Sequence, residues 1–306
     1  MFHVPVLLEQ VLSMLNVRQG GLYFDGTLGG GGHSKAILQV QNTNVIACDL
    51  DLEAIKFASN TLQEYILSER FTCIKSNFKD IGFHFDRLGI EKLDGALLDL
   101  GVSSHQIDSI NRGFSYNKKA QLDMRMDTSS ELTAHNIVNN YSVEQLIHIL
   151  RDYGEERFAN KIANKIADTR QVCSIDTTQQ LVDIIRQCIP YHLSNGHPAK
   201  KTFQAIRIAV NGELDGLDIC LRYLADKLCK GARLCVISFH SLEDRIVKNC
   251  FNDLAQGCIC DKRLPVCVCN NVAKVKVMPK YKASKSELVA NKRAKSAILR
   301  TCEKIN

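Results

Sequence analysis

Apolar runs bounded by turn residues alternate with amphipathic stretches along the first hundred residues. "LYFD" at 22–25 is a short apolar run, followed by a glycine cluster and the helical stretch "SKAILQV". "NVIACD" at 44–49 is a second run and ends on Asp49. "DLEAIKFASNTLQEY" then has helical periodicity, with Asp51 placed as its N-cap. "FTCIKSNF" predicts a third strand, and "LDGALLDLG" at 93–101 a fourth, nearly continuous in apolar residues as a buried parallel strand requires. Strand and helix alternating in this way predict an α/β, doubly wound sheet with right-handed crossovers.

The alternation then stops. From about Ser103 to Lys200 no apolar strand is predicted. "SVEQLIHILRDYGEERFANKIANKIADTR" reads as helix from end to end, with Leu146, Ile149 and Leu150 on one face and Phe158, Ile162 and Ile166 continuing it. "TTQQLVDIIRQCI" is a further helix capped by Thr177. The α/β pattern resumes with a long helix over "TFQAIRIAVNGELDGLDICLRYLADKL", a strand at 232–240, a helix over "SLEDRIVKNCFNDL" and a last strand at 296–304. The expected organisation is a sheet domain of residues 1–104 and 205–306, interrupted by an all-helical insertion at 105–204.

With 306 residues, 45% hydrophobic and 24% charged, the chain has the composition of a soluble globular protein. The opening "MFHVPVLLEQVL" lacks the features of a signal peptide, and no segment is long and apolar enough for a membrane span. Thirteen scattered cysteines point to reduced thiols in a cytoplasm, so a cytoplasmic protein without a membrane partner is expected. The net charge of +6 permits an acidic partner. The excess gathers near the end, where Lys274, Lys276, Lys280, Lys282, Lys285, Lys292, Arg293, Lys295, Arg300 and Lys304 face only Glu287 and Glu303. That pattern is either a solvated basic tail or a surface that meets phosphates.

Glycines 29–32 between the first strand and helix allow backbone to approach a ligand closely, and alone they suit any adenosine cofactor. Ser34 stands where a dinucleotide fingerprint has its third glycine, and "GGHSK" has the Walker residues in the wrong order. Asp49 at the end of the second strand is placed to accept two ribose hydroxyls, which argues against a 2′-phosphate. NAD and S-adenosylmethionine both remain. Phe78, after the third strand, is either a core aromatic or a platform for an adenine.

"DGALLDLGVSSHQIDSINRGFSY", "LDMRMD", "YGEERFANKIA", "FQAIRIAVNGEL" and "SFHSLEDRIVK" resemble the bacterial 16S ribosomal RNA cytosine-N4 methyltransferases, which act on a decoding-centre cytidine. The resemblance runs from "HVPVLLEQVL" to "RAKSAILR", nearly the whole chain. It implies S-adenosylmethionine as cofactor and a class I (Rossmann-like) methyltransferase sheet with an inserted all-helical domain. Carried over by position, it implies that Gly31, Gly32 and His33 contact the cofactor, Asp49 holds the ribose and Phe78 lies near the adenine. Asp99 and Gln106 would complete the pocket. The partner implied is 16S rRNA or the 30S subunit, with the protein a monomer or homodimer. The departures are a missing Gly-Pro turn before "LDMRMD" and lysines at 200 and 201, which keep or add positive charge.

Methyl transfer to an exocyclic amine needs N4 held in line with the methyl and an acceptor for its hydrogens, but no covalent cysteine. Ser103, Ser104 and His240 are the candidate acceptors. Arg112, Phe114 and Tyr116, then Asp123, Arg125 and Asp127, follow the fourth strand and are candidates for gripping an unstacked base, or else an ion-paired surface loop. Arg207 and Asn211, four apart on one helix face, are candidates for bridging the domains or touching RNA. Cys258, Cys260, Cys267 and Cys269 form two C-x-C pairs; reduced thiols without metal are expected there, with a zinc knuckle as the alternative. A catalytically idle, RNA-binding ribosome assembly factor is the competing function.

Overall fold

Strands apolar at nearly every position are built to be covered on both faces. In the computed structural model, β1 (Leu22–Asp25), β2 (Asn44–Asp49), β3 (Phe71–Lys75), β4 (Leu93–Asp99) and β5 (Leu228–Ser238) are mutually parallel. β6 (Val275–Val277), β7 (Tyr281–Lys282) and β8 (Ile298–Lys304) are added antiparallel. The structure describes residues 5–190, 196–260 and 268–306, the side chains of Ser104 and Ile110 excepted. Among these, the sheet order is β3-β2-β1-β4-β5-β8-β6, with β7 also pairing with β8. This is the order of a class I methyltransferase sheet. β6 and β7 were not expected, because three- and two-residue strands with exposed lysines carry too little periodicity to read.

Adjacent strand residues serve opposite faces. Phe24, Ile46, Leu98 and Val236 pack with the helices Ile81–Leu88, Leu217–Lys227 and Ser241–Ala255. Tyr23, Val45, Leu97 and Ile237 pack with the helices Leu8–Leu15, Gly32–Leu38 and Leu52–Thr61. From β1 the chain builds outward to β2 and β3, then returns to the other side of β1 to lay down β4 and β5. The switch point of the topology therefore lies between β1 and β4, at whose carboxyl ends such folds bind ligands.

The chain divides into two compact units, Met1–Gly101 with Gly216–Asn306, and Val102–Asp215. The division falls near 101 and 215 rather than 104 and 204. The helix Lys200–Asn211 buries Phe203, Ala205 and Ile206 in the core of the helical unit. Helices of that core at Ala134–Asn140, Val143–Asp152 and Thr178–Cys188 open with reciprocal capping boxes at Thr133/Asn136, Ser142/Gln145 and Thr177/Gln180.

Two expected helices are broken. The stretch after Ser142 becomes Val143–Asp152 and Ala159–Val172. Between them Gly154 sits so tightly that a Cβ would lie 2.7 Å from the Leu150 carbonyl, and Glu155 takes a left-handed φ of 47°. The long helix expected from Thr202 ends at Asn211 and restarts at Leu217, because Gly212 and Gly216 both adopt positive φ.

Candidate functional site

The carboxyl ends of β1, β2 and β4 each finish on an aspartate, Asp25, Asp49 and Asp99. Asp25 is buried at 1% exposure and accepts hydrogen bonds from Ser34 Oγ at 2.7 Å and from the Thr27 N–H at 3.2 Å. Burial pushes its carboxyl up, against those two donors. The Thr27 hydroxyl accepts the Asp99 N–H at 2.6 Å, tying the end of β1 to the end of β4.

Among the described residues, Asp49 is held by backbone N–H groups. Its Oδ2 accepts the Gly29 N–H at 2.7 Å and its Oδ1 the Asp51 N–H at 2.8 Å. The helix-capping role falls to Asp51, which accepts the Glu53 N–H at 3.0 Å. Each Asp49 oxygen keeps a further lone pair, and burial lifts the carboxyl to about 6. Asp99 carries an orphan: its Oδ1 is buried with no hydrogen-bond partner among the described residues. Desolvation, then the charges of Asp25 and Glu243, hold it well above the usual carboxylate range. A buried acceptor without a donor is unfavourable by itself, so Asp99 is suited to a ligand that brings a hydrogen-bond donor or positive charge.

His33 stands at the start of the helix Gly32–Leu38. Its Nε2 lies 3.0 Å from the Val6 carbonyl, which can only accept, so Nε2 carries the proton. Burial lowers its pKa to about 4, leaving a neutral ring whose bare Nδ1 faces Asp99 Oδ2 at 3.9 Å. The glycines before it have separate reasons. Gly31 caps the helix at φ 77°, and a Cβ on Gly32 would lie 2.7 Å from Pro5 Cγ. Phe78 opens the turn after β3 and is partly buried against the sheet core. Both the core and the adenine readings of Phe78 are compatible with that place.

The family model described as the MraW methylase family matches residues 1–305. The chain belongs to this methylase family. Relatives named "Ribosomal RNA small subunit methyltransferase H" match it across 99% of its length. They come from Heliobacterium modesticaldum (50% identical, 98% of that protein covered), Caldicellulosiruptor bescii (48%, 99% covered) and Clostridium botulinum strain Kyoto (46%, 99% covered). The cofactor of the MraW methylases is S-adenosylmethionine. The residues present fit it, since the positively charged sulfonium and ammonium of that molecule suit a cradle of carboxyls with an orphan acceptor.

In this methylase the expected acceptors are placed unequally. His240 is the N-cap of the helix Ser241–Ala255, where its Nδ1 accepts the Glu243 N–H at 3.4 Å. The neutral ring must then be protonated at Nε2, which lies 3.1 Å from Glu243 Oε1. His240 is thus the helix cap, and its Nε2 is buried without a hydrogen-bond partner among the described residues. Glu243, 2% exposed, also accepts the Phe239 N–H at 2.8 Å and the His240 N–H at 3.2 Å. Sequence reasoning missed Glu243 and Asp25. The spacing from His240 to Glu243 is that of a capping box, a signal hidden because histidine is an uncommon cap.

Ser103 caps the helix Ser104–Asp108, its Oγ accepting the Gln106 N–H at 3.2 Å while Gln106 Oε1 accepts the Ser103 N–H at 2.9 Å. The Ser104 side chain lies outside the described residues. Phe114, expected to grip a base, is instead buried at 8% exposure in the core of the helical unit beside Leu122 and Met124. Arg112 is equally internal and donates from Nη2 to the carbonyls of Arg125 and Met126 at 3.0 and 2.8 Å.

Asp123 and Arg125 pair at 2.7 Å, and Arg125 Nη1 donates to the Thr128 and Ser130 carbonyls. Burial alone would raise the Asp123 pKa, but the guanidinium holds it below the usual range. Arg207 makes a two-pronged pair with Glu213 at 2.8 Å, and Asn211 accepts the Met126 N–H at 2.7 Å while donating to the Met124 carbonyl at 2.8 Å. These bonds lie within the helical unit. Together they fix the "LDMRMD" turn, leaving Arg125 and Asp127 on its rim.

Proposed function

We propose that this chain methylates N4 of a decoding-centre cytidine in 16S rRNA, with S-adenosylmethionine as methyl donor, in the cytoplasm. What carries the reading is the near full-length identity of about half to proteins named as small-subunit rRNA methyltransferases. The cradle supports the cofactor half. Asp49, fixed by two backbone N–H groups, is oriented to take the ribose hydroxyls, while Gly31, Gly32 and His33 line the methionine end and Asp99 Oδ1 receives a donor there. Gln106 remains a proposed neighbour of the cofactor through its side-chain amide.

The thiols near the cradle support attack by an amine rather than a covalent route. Burial pushes Cys73 up to about 12 and Cys48 well above its usual value, so neither is poised as a thiolate. The bond formed is methyl carbon to N4; the bond broken is methyl carbon to sulfur, and N4 then loses a proton. Ser103 or Ser104 is the proposed acceptor of an N4 hydrogen, with His240 a positioning residue at the helix cap. The rim of Asp123 and Arg125, with Arg112, Phe114, Arg207 and Asn211 shaping it from beneath, is the proposed base-holding surface. Lys276, Lys280, Lys282 and Lys295, exposed along the outer strands and the turn before β8, are proposed to meet RNA phosphates.

The test uses 16S rRNA and 30S subunits from cells lacking this modification, incubated with methyl-labelled cofactor and digested to nucleosides. Label in N4-methylcytidine is expected, and comparing the two substrates shows which is used. Label on a ring carbon or another nucleoside overturns the N4 assignment. Tight RNA binding with no label anywhere favours the assembly-factor reading.

A further inference from the structure

The loop after the helix Ser241–Ala255 contains a cluster that methyl transfer does not use. The Sγ atoms of Cys258, Cys260 and Cys269 all lie within 4.8 Å of one another, and those of Cys258 and Cys269 are 3.8 Å apart. A disulfide needs about 2.05 Å. Four thiolates around a tetrahedral zinc, each at about 2.3 Å, stand about 3.8 Å from one another.

Backbone amides are also aimed at the sulfurs. The Ile259 N–H, in the middle of the first C-x-C pair, donates to Cys269 Sγ at 3.3 Å. The Val268 N–H, in the second, donates to Cys260 Sγ at 3.3 Å. A further bond runs from the Asn271 N–H to Cys269 Sγ at 3.5 Å. Zinc knuckles more often use C-x-x-C, where the longer spacing turns amides toward the pair's own sulfur. Here each pair supplies the amide for the other, which removes that objection to C-x-C.

Apolar packing does not account for the convergence. Ile259, Val268 and Val272 are 58%, 72% and 65% exposed, so among the described residues of the loop these apolar side chains do not draw the thiols together. The base of the loop is closed, with Asn271 Nδ2 donating to the Gln256 and Gly257 carbonyls at 3.0 and 2.7 Å and the Lys274 N–H to the Leu254 carbonyl at 2.8 Å. The thiols therefore sit on a braced stem.

We propose that Cys258, Cys260 and Cys269 bind one zinc ion as thiolates, leaving a fourth position for a further thiolate or a water. Cys267 completes the second pair in sequence and lies outside the described residues. Each thiol releases its proton as its sulfur joins the metal, and no oxidant or reductant takes part. The ion ties the described ends of the loop together and fixes the connection between the helix Ser241–Ala255 and β6.

The full chain, purified without chelator from zinc-supplemented cells, is assayed by elemental analysis. Reconstitution with cobalt(II) is followed by its visible spectrum. About one zinc per chain is expected, with sulfur-to-cobalt charge-transfer and tetrahedral d–d bands on reconstitution. Cys258→Ser and Cys269→Ser should each lose most of the metal, whereas Cys173→Ser, at an exposed thiol in the helical unit, should retain it. Cofactor binding by each variant reports that it is folded. Zinc no higher in the parent protein than in Cys258→Ser overturns the proposal, as does a Cys258–Cys269 disulfide found by mass spectrometry in the freshly purified chain.

Discussion

Replacing Asp49 by asparagine separates two demands on one side chain. The rise of its carboxyl from 3.8 to about 6 means that the charged form is disfavoured in the empty fold by about 3 kcal/mol. Asparagine removes that charge. It also turns an amide nitrogen toward either the Gly29 or the Asp51 N–H, and leaving that donor unsatisfied costs about 1–3 kcal/mol. The two effects nearly cancel, so the melting temperature of the cofactor-free variant should stay within about 3 °C of the parent at pH 7.5.

Cofactor binding has no such compensation. Losing charge-assisted bonds to two ribose hydroxyls, at about 1.5–3 kcal/mol each, predicts an affinity loss of at least about 100-fold by calorimetry. The pH dependence has a fixed sign. A carboxyl raised in the folded state stabilises the fold below about 4, and that contribution disappears as the pH rises through about 6. The cofactor-free parent should therefore lose stability across the same window in which its cofactor affinity increases. An Asp49→Asn variant with parental affinity, or one that melts ten degrees early, would refute the ribose assignment.

Gly31→Ala places a side chain at φ 77° with its Cβ 3.2 Å from Ala58 and Leu62; about 1–2 kcal/mol of strain is expected, read as a lower melting temperature and roughly tenfold weaker cofactor binding. Asn211→Ala strands the Met126 N–H and the Met124 carbonyl, at about 1–3 kcal/mol, and should lower stability in urea while leaving cofactor affinity within about twofold, as calorimetry will show. Arg125→Ala releases Asp123 and the turn carbonyls it holds. RNA binding measured by filter retention should fall about tenfold, the order of one charge-assisted contact, with cofactor binding unchanged.

The sheet strands were legible because strands covered on both faces must be apolar throughout, as "LDGALLDLG" is. That Asp51 rather than Asp49 caps the following helix was legible, because Asp51 stands directly before its first residue. The helix breaks at Gly154 and Gly212 were not, since amphipathic periodicity continues through both while close packing and positive φ act locally. Phe114 misled for a different reason: position past a strand end says where a residue is in the chain, not which way its ring turns. The alternating Asp123 and Arg125 did suit an ion-paired loop, and that pair forms. His33 was reached only through the family resemblance, because its neutral state and its bond to Val6 depend on an N-terminal segment distant in sequence.

β8 pairs with β5 on one side and with β6 and β7 on the other, so residues 298–304 occupy an interior place in the sheet. During synthesis β5 is complete some sixty residues before its partner emerges, as the positions Ser238 and Ile298 show. Throughout that interval its apolar edge, including Leu234, Cys235, Val236 and Ile237, has open hydrogen-bonding groups, which is the arrangement that recruits other chains. Nascent protein stalled before residue 298 is thus expected to depend on chaperones or to aggregate, and the edge is closed once residues 298–303 pair with β5.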